Sequence, residues 1–222
     1  MKKWWPLLIG MVLMTSLTLT FVDGFLEIAE EVTERESRVV DQSLIQWTAT
    51  LHTPALTGLM KGVTELGSVW WLTAGTVVTV VFLLQRRKIR YAMVVMVGMA
   101  GTAAMNMVLK NAYARARPEE NPMVQVDGYS FPSGHAMGSI AFYGLLWYLT
   151  VKSRLAPRIK GVLSVGWVLL ILLIGWSRIY LGVHYPTDVA AGYMAGAIMV
   201  FQSIAVSEGY RHYKRKREKR AL

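Results

Sequence analysis

The segment FPSGHAMGSIAFYGLLWYLTVK, from Phe131 to Lys152, decides how this chain is read. Pro132-Ser133-Gly134-His135 stands directly before an apolar run, Ala136 to Val151, of helical length. Ser133 is placed there as an N-cap, and the Gly134 and His135 amides then point out of the helix start. An anion finds donors at such a point, together with the positive end of the helix dipole. Glycine also lets an oxygen come close to the backbone. A plain helix cap accounts for Ser133 but leaves His135 without a reason.

Working outward, the 222 residues are 54% hydrophobic, with a mean hydropathy of +0.36. The length suits a single domain over residues 1–222, and the composition is too apolar for an ordinary soluble one. A helix crossing a hydrocarbon core of about 30 Å needs about 20 apolar residues. Six stretches approach that length: Trp4 to Val22, Ser68 to Leu84, Tyr91 to Leu109, Ala136 to Val151, Ile159 to Trp176 and Val189 to Val206. The expected fold class is therefore all-α, a polytopic membrane protein with six transmembrane helices. Lys2 and Lys3 before the first run also suit a cleaved secretory signal, but no small-x-small site follows Thr20, so a retained helix is expected. Cysteine is absent, which excludes disulfides, a thiolate nucleophile and a sulfur-ligated metal.

Charge placement gives an orientation. With the N-terminus inside, Lys2, Lys3, Arg86, Arg87, Lys88, Arg90, Lys152, Arg154, Arg158, Lys160 and the basic tail (207–222) are all cytoplasmic. Of the acids, only Glu208 and Glu218 join them. Both termini are then cytoplasmic, and the Pro132 to His135 turn faces the other side. The net charge of +10 reads first as an orientation device. The tail, Arg211 to Arg220, is expected to be attracted to anionic head groups, and nucleic-acid binding is not expected because about a dozen residues form no reader domain.

Between the first two spans, residues 23–67 place Phe25, Ile28, Val32, Val39 and Leu44 at near-helical spacing among acids. The expectation is amphipathic helix in the first extracytoplasmic loop, divided at Pro54, with Leu56, Leu59, Met60 and Val63 on the second piece. It serves as an interfacial brace or a gate for lipid. Trp4, Trp5, Trp70, Trp71, Trp147, Tyr148 and Trp176 fall near span ends and read as membrane anchors.

Two further blocks carry chemistry. Lys110 and Arg117 lie seven residues apart, two turns if the third span continues as helix, so both would converge on one anion. Arg115 falls off that face and reads as a solvated or headgroup charge. Ser177-Arg178 closes the fifth span, and Pro186 suits the first turn of the sixth, with His184 and Asp188 on either side of it. Four residues apart, that pair can touch. A carboxylate on one imidazole nitrogen fixes the tautomer and frees the other nitrogen for attack on phosphorus. Taken as metal ligands, His135, His184 and Asp188 would make a two-histidine, one-carboxylate iron site, but Lys110, Arg117 and Arg178 complement a phosphate far better than a dication.

At background frequencies of about 5% per position, these eleven specified residues recur by chance with odds of order 10^-14, and about 10^6 placements do not rescue chance. The spacings Lys-x6-Arg-Pro, Pro-Ser-Gly-His and Ser-Arg-x5-His-x3-Asp resemble those of the type 2 phosphatidic acid phosphatase family, the lipid phosphate phosphatases. The constellation is also similar to that of vanadate-dependent haloperoxidases, which are soluble. The resemblance covers Lys110 to Asp188, about a third of the chain. It implies a membrane enzyme that needs no cofactor or metal, in which His184 attacks phosphorus, Asp188 orients it and His135 serves the leaving oxygen and then water. Lys110, Arg117, Ser133, Gly134 and Arg178 would bind the substrate phosphate. Within the family the six-span bacterial pattern looks like that of phosphatidylglycerophosphate phosphatases, and closely similar members act on undecaprenyl diphosphate. The implied location is a bacterial inner or plasma membrane, with the site on the extracytoplasmic side. A non-catalytic lipid transporter on the same bundle would be expected to lack His184, Asp188 and His135.

Overall fold

The computed structural model describes residues 5–119 and 122–220, leaving aside the side chains of 6–8 and 212–220. Trp4, Lys2, Lys3 and the tail side chains after Arg211, on which several expectations rest, lie outside the described residues. Among the described residues eight helices follow one another: α1 (Trp5–Glu34), α2 (Arg38–Ala49), α3 (Pro54–Glu65), α4 (Val69–Gln85), α5 (Ile89–Tyr113), α6 (Gly134–Lys152), α7 (Pro157–Tyr180) and α8 (Pro186–Arg220). The fold is all-helical among the described residues.

Among the described residues, four helices are long and apolar enough to cross a membrane: Ile9–Glu34, Ile89–Tyr113, Pro157–Tyr180 and Pro186–Arg211. The pair α3 and α4, bent by 46°, makes a fifth when taken together. Helix α6 does not join them, because His135 and its glycines, Tyr and Trp lower its hydropathy. One side of α6 faces protein all the same: Ala136, Met137, Gly138, Ser139, Ala141, Phe142, Tyr143, Leu145 and Tyr148 are all buried. Helix α6 is the centre of the bundle, packed by α4, α5, α7 and α8. Around it the outer helices expose Leu13, Val77, Val78, Val97, Val162 and Leu169, an apolar belt that needs lipid or its equivalent to cover it.

The crossing of α6 and α8 is set by small residues. A Cβ on Gly192 would lie 2.7 Å from the carbonyl oxygen of Ser133, and one on Gly196 would lie 2.6 Å from that of Met137. Glycines four apart thus let two backbones touch, the device used where helices pack without a water-driven hydrophobic force. The contact holds the start of α6 against the start of α8.

Helix α1 does not stop at Val22 as expected. Its 30 residues run about 45 Å, and the extension to Glu34 follows from an apolar stripe continued by Phe25, Ile28, Ala29 and Val32 against Phe131, Ala191 and Ala195. Pro54 does open a helix, with Thr53 capping it by accepting from the Leu56 amide. Of the apolar residues expected on these amphipathic helices, Val39 and Leu44 on α2 and Leu59 on α3 point away from the bundle. In α2 the inward side carries Asp41, Ile45 and Thr48. Of the expected anchors, Trp5, Trp70, Trp71 and Trp147 point outward, whereas Tyr148 is buried and donates to Glu208 at 2.6 Å. Trp176 instead packs edge-on against Trp47.

The bundle has two chemically distinct ends. At one, Glu208 gathers Lys152 at 3.2 Å, Arg90 at 3.6 Å and Arg211 at 2.5 Å, joining the α4–α5 and α6–α7 turns to α8. At the other, the C-termini of α5 and α7 meet the N-termini of α6 and α8.

Candidate active site

Helix α7 ends at Tyr180, and Gly182 follows in the left-handed region at φ 69°. Only glycine takes that conformation freely, and it turns the chain so that the Val183 amide bonds back to the Arg178 carbonyl at 3.2 Å. This closure delivers His184 to the bundle interior, where it is 1% exposed. Pro186 begins α8, and Asp188 in its first turn reaches back to accept from the Tyr185 amide at 2.9 Å, half of a capping box.

The same Asp188 oxygen, Oδ2, takes His184 Nδ1 at 3.3 Å and the hydroxyl of Ser130. Ser130 Oγ also lies 3.3 Å from Nδ1. On the other ring nitrogen, Arg117 Nη1 is 3.1 Å from His184 Nε2. A guanidinium can only donate, so Nε2 accepts and the ring proton sits on Nδ1 facing the carboxylate. Burial pushes the His184 pKa down to about 4. Asp188 opposes that push, while Arg178 and Arg117 add to it. At neutral pH the imidazole is therefore uncharged, with its Nε2 lone pair directed at the cations.

The structure brings all the expected anion-binding cations to this end by a route different from the one the spacing suggested. Helix α5 stops at Tyr113, and Ala114 is left-handed at φ 43°, so Lys110 and Arg117 do not share a helix face. They meet at one acceptor instead: Lys110 Nζ and Arg117 Nη2, the latter at 3.2 Å, both donate to the Tyr129 carbonyl. Arg117 is held further by the Gly128 and Val183 carbonyls at 2.9 and 2.8 Å. Burial lowers its pKa from the ordinary guanidinium value.

Arg178 is 2% exposed and donates from Nη1 to Thr64 Oγ1 at 2.7 Å. Its Nε and Nη2 are buried with no hydrogen-bond partner among the described residues. A buried charged donor left unpaired is costly, and this one stands beside the histidines. Ser133 caps α6 by accepting from the Ala136 amide at 3.5 Å and gives its own amide to the Asp188 carbonyl at 2.9 Å. The Gly134 and His135 amides of the first turn have no acceptor within the helix.

His135, Gly134, Lys110, Arg117 and His184 all line one cavity of about 580 Å³. From these polar groups it continues between α4 and α5 past Leu72, Val77, Met96, Met99, Ala100 and Ala103. Among the described residues, no three His, Asp or Glu side chains gather as metal ligands, so nothing in the geometry favours the iron-site alternative for His135, His184 and Asp188.

Arg115 corrects the sequence reading. It is not a solvated charge: Nη1 bonds Asp188 Oδ1 at 2.6 Å and Nη2 bonds Asp41 Oδ2 at 2.7 Å. Sequence reasoning also missed Ser130, Thr64, Thr187 and Asp41. A polar residue on the inward stripe of α2, at the spacing of Asp41 and Ile45, was the available signal. His52 packs against Tyr180 and hydrogen-bonds its carbonyl at 3.0 Å.

Comparison with known proteins places this geometry. Residues 91–210 match the family model of the PAP2 superfamily. The chain is 29% identical over 194 residues to phosphatidylglycerophosphatase B of Bacillus subtilis (strain 168), covering 86% of this chain and 95% of that one. It is 28% identical over 158 residues to undecaprenyl-diphosphatase of Sulfolobus acidocaldarius, covering 68% and 70%. Its fold superposes with a TM-score of 0.80 and 26% identity on the crystal structure of a transmembrane PAP2-type phosphatidylglycerolphosphate phosphatase from Bacillus subtilis, over 88% of this chain and 96% of that one. The chain belongs to the PAP2 superfamily and is a phosphatase.

Proposed function

We propose that the protein hydrolyses the phosphate monoester of a membrane lipid, phosphatidylglycerophosphate, to phosphatidylglycerol and phosphate. The observation that carries the reading is Arg178, whose buried Nε and Nη2 have no hydrogen-bond partner among the described residues, next to a neutral His184 whose Nε2 lone pair faces Arg117. A phosphate supplies the acceptors that Arg178 lacks, and Lys110, Arg117 and the Gly134 and His135 amides complete the cradle. The apolar reach of the cavity between α4 and α5 suits the chains of a lipid. Similarity to phosphatidylglycerophosphatase B over most of the chain favours the glycerophosphate substrate. Similarity to undecaprenyl-diphosphatase supports a second reading, release of the terminal phosphate of a polyprenyl diphosphate at the same groups.

In the proposed mechanism the Nε2 lone pair of His184 forms a bond to phosphorus as the ester P–O bond breaks. His135 gives its proton to the leaving oxygen. Asp188 holds the Nδ1 proton and stabilises the positive ring of the phosphohistidine. The cations and the first turn of α6 neutralise charge on the three non-bridging oxygens. His135 then takes a proton from water, whose oxygen attacks phosphorus while the P–N bond breaks, releasing phosphate and restoring His184. No step uses a metal.

The topology proposed with this mechanism has six crossings, α1, α4, α5, α6, α7 and α8, with both termini cytoplasmic and the site extracytoplasmic. The clustering of Arg90, Lys152 and Arg211 around Glu208 at the end opposite the site supports that orientation. The basic tail would lie against anionic lipids of a bacterial plasma membrane.

The test is phosphate release by detergent-purified protein in EDTA, with phosphatidylglycerophosphate and undecaprenyl diphosphate offered side by side. A higher kcat/KM for the first lipid is expected. A higher value for the second would transfer the assignment, and release abolished by EDTA would overturn the metal-free mechanism.

A further inference from the structure

The catalytic pair is not held by its own two helices alone. Asp188 Oδ2 is saturated by Tyr185, Ser130 and His184, whereas Oδ1 has one partner among the described residues, Arg115 Nη1 at 2.6 Å. Arg115 in turn is fixed from three sides. Its plane lies 4.1 Å over the Tyr185 ring, Nη1 also donates to Thr187 Oγ1 at 2.8 Å, and Nη2 donates to Asp41 Oδ2 at 2.7 Å. Asp41 belongs to α2, about 75 residues upstream in a segment that carries none of the phosphate-handling blocks. It is fully buried. Its Oδ1 accepts from the Thr187 amide at 3.1 Å and its Oδ2 from the Thr187 hydroxyl at 2.7 Å, with Ser37 Oγ at 3.3 Å.

We propose that Asp41 is a positioning residue for phosphoryl transfer: through Arg115 it fixes the orientation and the effective charge of Asp188, and so joins helix α2 to the reacting histidine. The physical reason is a charge count. One guanidinium shared between two buried carboxylates neutralises each only in part. Asp188 thus keeps charge to set against the positive ring that forms on His184 during attack. With Asp41 neutral, Arg115 gives its whole charge to Asp188, and the phosphohistidine and the transition state leading to it lose support. Substrate phosphate binds to Lys110, Arg117 and Arg178, none of which touches Asp41, so binding is spared.

This inference rests on His184 acting as proposed above, and its experiment separates the two. kcat and KM are measured per folded molecule, on a phosphorylated lipid, for wild type, His184→Ala, Asp41→Asn, Arg115→Lys, Arg115→Ala and the Asp41→Asn/Arg115→Ala double variant. Expected are a fall in kcat of about tenfold for Asp41→Asn with KM changed less than twofold, and a double variant no slower than Arg115→Ala. A role for Asp41 in merely anchoring α2 would instead make the two losses multiply, and that result would overturn the proposal. So would a kcat for Asp41→Asn within twofold of wild type while His184→Ala is inactive. Should Asp41→Asn fail to fold, Arg115→Lys decides: it keeps the charge but cannot bridge both carboxylates, so a kcat within twofold of wild type overturns the proposal and a tenfold loss at unchanged KM supports it. Activity retained by His184→Ala would remove the underlying mechanism and this inference with it.

Discussion

Helix α6 meets its neighbours across glycines on two flanks, and the two behave in opposite ways. Toward α8 there is no room for a methyl group, because Gly192 and Gly196 face the carbonyl oxygens of Ser133 and Met137, and backbone cannot step aside. Toward α4 and α5 the glycine at 138 faces only the end of the Leu72 side chain, and the space beyond opens into the cavity that ends at His135 and His184. The tight flank fixes where His135 stands relative to Asp188 and His184, and the open flank leaves space for a substrate. The proposed reaction must both align reacting atoms and admit a bulky lipid, and the two faces of one helix separate those demands.

The largest effect should come from the reacting atom itself. His184→Ala removes the group aligned by the tight flank, and its kcat is expected to fall about 10^3-fold or more with the fold intact, measured as phosphate release beside a thermal melt. Next comes a direct break of that flank. Gly196→Val puts side-chain atoms against the Met137 carbonyl and is expected to destabilise the protein by about 1–3 kcal/mol, read as a lower unfolding midpoint together with lost activity. A wild-type midpoint would show that the contact can yield.

Filling the open flank tests the other half of the comparison. Ala103→Trp places a large ring among the cavity walls and is expected to lower kcat/KM for the long-chain lipid about tenfold, the worth of one or two lost methylene-sized contacts or their steric equivalent, while a short, soluble phosphate ester is spared. Equal losses on both substrates would place the chains elsewhere. The smallest effect is that of pH. As the proposed nucleophile His184 must be neutral, and burial holds its pKa at about 4 rather than the ordinary 6.5, so protonation should remove activity only below about pH 4. Between about pH 5 and pH 7, kcat/KM should therefore show no limb due to His184, and a limb near 6.5 that moves with Asp188→Asn would contradict the buried, neutral imidazole.

The comparison also shows what could be read from the chain. Lys110, Arg117, Ser133, His135, Arg178, His184 and Asp188 stood out because each is a polar or charged type in an otherwise apolar chain, and the structure brings them to one end. The Lys110 to Arg117 step was misread because helical geometry was carried past Tyr113, where the left-handed Ala114 breaks it. That same error put Arg115 in solvent, when it bridges two buried carboxylates. Asp41 escaped notice for another reason. The inward stripe of α2, Asp41, Ile45 and Thr48, is mostly polar, so apolar periodicity picked out Val39 and Leu44 on the outward side of the same helix. Hydrophobic pattern locates a core only where the core is apolar, and around Asp188 it is not.

The most direct test of the account is to trap the covalent intermediate. Wild-type protein mixed with lipid substrate is quenched in alkali within milliseconds, digested and mapped by mass spectrometry. The account predicts a phosphoryl group on His184, absent from His184→Ala. Phosphate release with no labelled histidine, or a label on any other side chain, would contradict it.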